Sequence, residues 1–227
     1  MRDSWDRRLG WTRGLVSADP AEREAALRRH LAAGAALERT ARRLNSPARR
    51  FRDSVTWHWR RRYVLPGGLW CGLRQPDELV RRPRLPYALN FLEWEARHPE
   101  IWTAHAKDWG TKEQLLRGLA TVGHDETTRA RLTALVLLVV ARPYRCKDRH
   151  YVGVARAVDG PALRAGLVAA TASSEAWARL HATYVLKLLA DPGIPNTRAT
   201  WTRHLAAGSA AGHGSVGHGP AGHDSAR

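Results

Sequence analysis

Between Arg39 and Tyr63 the chain carries nine arginines, Arg39, Arg42, Arg43, Arg49, Arg50, Arg52, Arg60, Arg61 and Arg62, against one acid, Asp53. Phe51, Trp57, Trp59 and Tyr63 are interleaved with them. A guanidinium offers a planar fork of donors that fits a phosphate, and an aromatic face can stack on an unpaired base. The chemistry this mixture suits is contact with a nucleic-acid backbone that does not read sequence, with Trp57 placed for stacking. The competing interpretation is a solvated basic helix whose aromatics pack inward. Phe51, Val55, Trp59 and Tyr63 recur every four residues and form one apolar stripe, and Trp57 lies off it.

The elements that must carry these residues are helical. Asp19-Pro20-Ala21-Glu22 starts a helix, with Asp19 as N-cap, Pro20 at the first position and Glu22 completing a capping box. It should run from about Pro20 to Leu44. Asn45-Ser46-Pro47 then stops it and opens the second, arginine-rich helix. The same pair admits a helix-turn-helix alignment through Ala41, Asn45 and Phe51, although the first helix is long for that motif and the turn lacks glycine.

The rest of the composition points the same way. The 227 residues include 37 Lys and Arg against 21 Asp and Glu, a net charge of +16 with pI near 11.2. Arginine in place of lysine and abundant alanine suit a GC-rich genome, but codon bias does not explain the excess of base over acid. Such a field attracts polyanions, so the expected partner is nucleic acid, DNA or RNA, with an acidic protein partner as the alternative. Cys71 and Cys146 are far apart with no CxxC, the reduced-thiol pattern of a cytoplasmic protein. The charged N-terminus lacks a signal-peptide apolar stretch. The longest charge-free run, Leu132 to Ala141, is about half the ~20 residues a bilayer requires, so no membrane partner is expected and the run should be the most buried helix.

No cofactor or enzyme signature is present: GxSxG, GxxxxGK[ST], HExxH and GxGxxG followed by an acid are all absent. Glu95 and His98 make a single Glu-x-x-His, and Cys146 and His150 stand four apart without a second pair. His213, His218 and His223 recur every five residues in a Gly/Ala-rich tail.

After a Pro/Gly-rich connector at about 64–85, helices are expected at about 87–97, 100–109 (ended by Gly110), 112–122 (capped by Thr111), 126–141 (capped by Asp125), 149–158, 161–171, 175–190 and 197–206. A shift of 48 positions aligns Leu115, Gly118, Leu119, Ala130, Arg131, Leu132, Ala134 and Leu138 with Leu163, Gly166, Leu167, Ala178, Arg179, Leu180, Ala182 and Leu186. Over about Lys112 to Ala190 the chain resembles HEAT-type helical repeats. That resemblance implies an all-α fold of antiparallel helix pairs stacked as a HEAT-like α-solenoid, normally a binding architecture. The expected organisation is a basic N-terminal helical segment (1–63), the connector (64–85), a repeat domain (86–205) and a disordered tail (206–227). Alkylpurine DNA glycosylases combine a HEAT-like fold with basic charge and tryptophans, and Trp102, Asp108 and Trp109 lie close together here. Their catalytic segment does not align with this chain, so no catalytic residue is carried over.

Overall fold

The computed structural model describes residues 2–43, 54–57, 61, 64–69 and 83–213, and the described residues form helices and no strands. In chain order these are α1 (Arg2–Leu9), a 3-10 segment (Gly10–Val16), α2 (Pro20–Arg43), a short 3-10 turn (Gly67–Leu69), α3 (Leu85–Arg97), α4 (Pro99–His105), α5 (Trp109–Leu119), α6 (Glu126–Val140), a second short 3-10 turn (Asp148–His150), α7 (Tyr151–Ala157), α8 (Pro161–Thr171), α9 (Ala176–Ala190) and α10 (Arg198–His213). No described helix is long and apolar enough to cross a membrane.

The centre is α3, not the Leu132–Ala141 run. Every residue from Tyr87 to Ala96 is buried, because the 3-10 segment covers one side of α3 while α4 and α6 cover others. In α6, Leu132, Leu135, Val136, Val139 and Val140 are buried, but Ala134 is exposed, as is Ala141 just after the helix. An apolar sequence on every face tolerates a central position without imposing one. The position is set by how many neighbours the topology supplies.

Polar links tie α3 to its surroundings. Asn90 donates to Thr12 Oγ1 at 2.8 Å, Arg131 of α6 bonds Asn90 Oδ1, and Arg131 Nε lies 2.6 Å from Glu93 Oε1. One chain of bonds therefore joins the 3-10 segment, α3 and α6, and it satisfies groups that would be costly to bury alone.

Helix starts follow local chemistry. Asp19 accepts from the Ala21 amide at 2.9 Å, whereas Glu22 accepts from the Ser17 hydroxyl at 2.5 Å instead of closing a capping box. Asp125 caps α6 through the Thr128 amide at 2.7 Å. The expected helix to Trp109 ends earlier, at His105, and Asp108 starts α5 by accepting from the Thr111 amide and hydroxyl at 2.9 and 3.0 Å. An aspartate outcompetes the threonine expected there, and Gly110 sits inside the first turn of α5.

In the C-terminal half, α8 packs on α9 and α6, α5 packs on α7, and α9 contacts α7 and α10. Gly166 permits the close α8–α6 approach: a Cβ there would stand 2.5 Å from Leu137 Cδ1. In the connector, Leu65 and Leu69 join the core. Helix α10 continues past Ala206 to His213, beyond the expected start of the tail, as the alanines at 206, 207, 210 and 211 favour.

Candidate functional site: a buried charge cluster, an aromatic cleft and an arginine face

Five charged side chains converge where α3, α5 and the 141–150 segment meet. Glu95 faces α5 from the buried side of α3, and Lys112 enters from the first turns of α5. Lys112 Nζ lies 3.0 Å from Glu95 Oε2 and 2.6 Å from Asp148 Oδ1, with the lysine and glutamate side chains fully buried. Arg142 spans the same two acids, at 3.0 Å from Glu95 Oε2 and 2.8 Å from Asp148 Oδ2. Arg145 Nε stands 3.0 Å from Glu95 Oε1, and the Arg145 amide donates to Asp148 Oδ2 at 2.7 Å. Lys147 adopts a left-handed φ of 70°, immediately before Asp148 begins a 3-10 turn. Three cations thus share two carboxylates.

The rings around the cluster shape its electrostatics. Lys112 Nζ lies 5.3 Å from the Trp109 ring centre and 5.6 Å from that of Tyr151. Burial pushes the Tyr151 hydroxyl well above its ordinary pKa of 10.0, and the charges of Glu95 and Asp148 push the same way, so it remains a neutral O–H. Burial would lower the Arg142 pKa, but Asp148 and Glu95 more than offset it, and the net shift is upward. The Lys112 ammonium donates to Asp148 and is ion-paired with Glu95, a geometry for holding helices together.

On the far side of Asp148 and Tyr151 opens a cleft walled by Val136, Val140, Tyr144, His181, Tyr184 and Trp201. Tyr144 and Trp201 stack with centroids 5.3 Å apart at 20°, and His181 lies 5.3 Å from Trp201. Burial holds the His181 pKa below 6.5, with Asp148 opposing and Arg142 assisting that shift. The cleft's open volume is only about 30 Å³.

The arginine face lies elsewhere. Arg39, Arg42 and Arg43 are exposed on the last turns of α2, and Arg28 shares their face through the 3.6-residue period. Arg42 is 3.6 Å from Glu38 with both side chains largely exposed, and Arg39 and Arg43 have no ion pair among the described residues. Ala26 and His30 bury the opposite face, where His30 Nε2 meets the His105 backbone oxygen at 3.0 Å. Trp57 is half-buried and the exposed Arg61 places its guanidinium carbon 5.0 Å from the Trp57 ring centre. Val55, expected to pack inward on the apolar stripe, is 54 % exposed, so the off-stripe Trp57 is the better covered of the two. Arg49, Arg50, Arg52, Arg60 and Arg62 lie outside the described residues, as do Phe51, Trp59 and Tyr63.

Other sequence candidates resolve into structural roles. Glu95 belongs to the charge cluster and not to a Glu-x-x-His pair with His98. Trp102 is fully buried and packs 4.9 Å from Trp109, each on its own helix and not on one shared face. Asp108 is occupied as the α5 cap. Among the described residues no group of three His, Cys, Asp or Glu side chains is placed to hold a metal; His218 and His223 fall outside them. The charge cluster escaped sequence reasoning because its members span 54 positions without a motif, from Glu95 to Asp148. The one local signal was a pair of glutamates, Glu93 and Glu95, inside a largely apolar helix. No family profile, curated protein or solved structure matches the chain.

Proposed function

We propose that this chain is a nucleic-acid-associated helical protein that binds phosphate backbone through the exposed arginines of α2 and the arginine-rich segment after it. The observation that carries this is the α2 face itself. Arg28, Arg39, Arg42 and Arg43 share one exposed side of a helix whose other side is docked, over about 22 Å at 1.5 Å per residue. A rigid row of exposed guanidinium groups on a chain of net charge +16 favours a polyanion over a neutral partner. The Arg61–Trp57 contact adds a cationic and aromatic surface of the kind that single strands stack on. A HEAT-like solenoid in the C-terminal half is part of the same proposal, supported by the alignment at a shift of 48 positions and by the matching burial of Leu115 with Leu163 and of Leu119 with Leu167.

The test is binding of mixed-sequence duplex and single-stranded DNA and RNA, followed by fluorescence anisotropy over a range of salt. Affinity should fall with salt at a log–log slope of about −0.9 per duplex phosphate neutralised and about −0.7 on single strands, with little dependence on sequence. Absence of binding at low salt overturns the proposal and leaves an acidic protein surface as the partner that the same arginines suit.

A further inference from the structure

We propose that the outer surface of α9 and α10 is a second nucleic-acid contact, selective for single strands, in which an unpaired base stacks on Trp177 and neighbouring phosphates meet Arg149, Arg198 and Arg203. The inference rests on the phosphate-binding reading of α2 and adds to it a strand preference and a second place on the molecule.

Charge sets the class of partner. Neither α9 nor α10 holds an aspartate or glutamate anywhere along its length, and the acids nearest in sequence, Glu175 and Asp191, flank the two ends of α9. On other helices exposed cations find a carboxylate one turn away, as Arg28 does at Glu24, Arg42 at Glu38 and Arg117 at Glu113. Here that partner is missing. Arg198 and Arg203, exposed on α10, and the half-buried Arg149 have no ion pair among the described residues. Guanidinium groups left without a carboxylate are matched by a polyanion.

Geometry sets the strand type. Helix α10 folds back along α9: His204 Nε2 meets the Leu180 backbone oxygen at 3.0 Å, and Trp201 lies 4.8 Å from the Tyr184 ring. A continuous series of rings results. Trp177 is 5.8 Å from His181, His181 is 5.3 Å from Trp201, and Trp201 stacks on Tyr144. The inner rings cover one another, whereas Trp177 at the rim is 44 % exposed and leaves indole surface for a base. The cations lie close by. Arg149 lines the same cleft as Tyr144 and Trp201, Arg198 is three residues from Trp201 on α10, and Arg203 adjoins His204, whose partner Leu180 is less than a turn from Trp177. A duplex keeps its bases stacked on each other and offers only phosphates to this surface, so the indole contributes to single strands alone.

The full chain, Trp177→Ala and a double variant, Arg198→Ala with Arg203→Ala, are titrated against a labelled deoxythymidine oligomer of about 15 nucleotides and a mixed-sequence duplex, followed by fluorescence anisotropy. All three positions are exposed, so far-UV circular dichroism should be unchanged. Trp177→Ala should weaken single-strand binding about tenfold and duplex binding less than about twofold. The double variant should flatten the single-strand salt slope by up to about 1.4, about 0.7 for each contact. Unchanged single-strand affinity in Trp177→Ala, an equal loss on duplex, or an unchanged slope in the double variant overturns the inference, and with wild-type duplex binding intact it leaves the α2 reading standing. An equal loss of polyglutamate affinity in Trp177→Ala would assign the surface to an acidic protein and also overturn it. Absence of all binding by the wild type at low salt overturns both readings.

Discussion

Lys112 Nζ and Asp148 Oδ1 lie 2.6 Å apart, with side-chain exposures of 0 % and 3 %. A pair so dry cannot be cut on one side without leaving the other charge stranded. Lys112→Met should destabilise the protein by about 3 kcal/mol, the low end for breaking a buried pair, because Arg142 still neutralises part of the acid charge. Arg117 pairs with Glu113 at 64 % side-chain exposure, and Arg117→Ala should change stability by less than about 0.5 kcal/mol. Urea unfolding of the two variants checks the contrast; equal effects would mean the cluster is not coupled to folding.

Acid should loosen the fold before its carboxylates titrate. Burial lowers the pKa of His30, His98, His150 and His181 from 6.5, against an opposing backbone bond from His105 at His30 and an opposing Glu113 charge at His150. Below pH 6.5 the unfolded chain binds protons that the folded chain resists. Stability is therefore full above that pH and falls as pH drops from 6.5 toward the lowered folded values. The melting temperature measured from pH 7.5 to 5 should decline over this window, and His30→Gln should reduce the decline.

Gly34 lies in the middle of α2 with nothing within 4 Å of where a Cβ would stand. Gly34→Ala should raise stability by about 0.5–1 kcal/mol, since alanine loses less backbone entropy in a helix and meets no obstacle. A calorimetric Tm below wild type would show that α2 is not a continuous helix in solution.

Changing Arg39, Arg42 and Arg43 together to Ala should flatten the duplex salt slope by up to about 2.7, three phosphate contacts at about 0.9 each. The side chains are exposed, so far-UV circular dichroism should be unchanged. Loss of affinity with an unaltered slope would place the phosphate contacts elsewhere.

Much of the architecture could be read along the chain because it is written locally. The N-caps Asp19 and Asp125, the proline starts at Pro20 and Pro161, and the apolar periodicity of α8 and α9 each act within a turn or two. What escaped depends on contacts distant in sequence. The central place of α3 comes from the 3-10 segment and α6 closing over it, and Gly10–Val16 carries no periodic signal of its own. The charge cluster unites Glu95, Lys112, Arg142, Arg145 and Asp148, each of which looks like an ordinary surface residue in isolation. Arginine exposure on α2 was foreseeable, since charges opposite Ala26 and His30 had nowhere else to go. The exposure of Val55 was not, because a four-residue stripe marks a helix face without naming what covers it.

The ten-residue burial of α3 fixes where this molecule can open. Amide protons from Tyr87 to Ala96 sit inside a helix closed on every side, so no small excursion exposes them to solvent. They should exchange with deuterium only when the whole chain comes apart, which makes their exchange rate a direct gauge of the global unfolding equilibrium. The arginine-bearing end of α2, with Thr40 as the only buried residue of its last two turns, should exchange through local fraying instead.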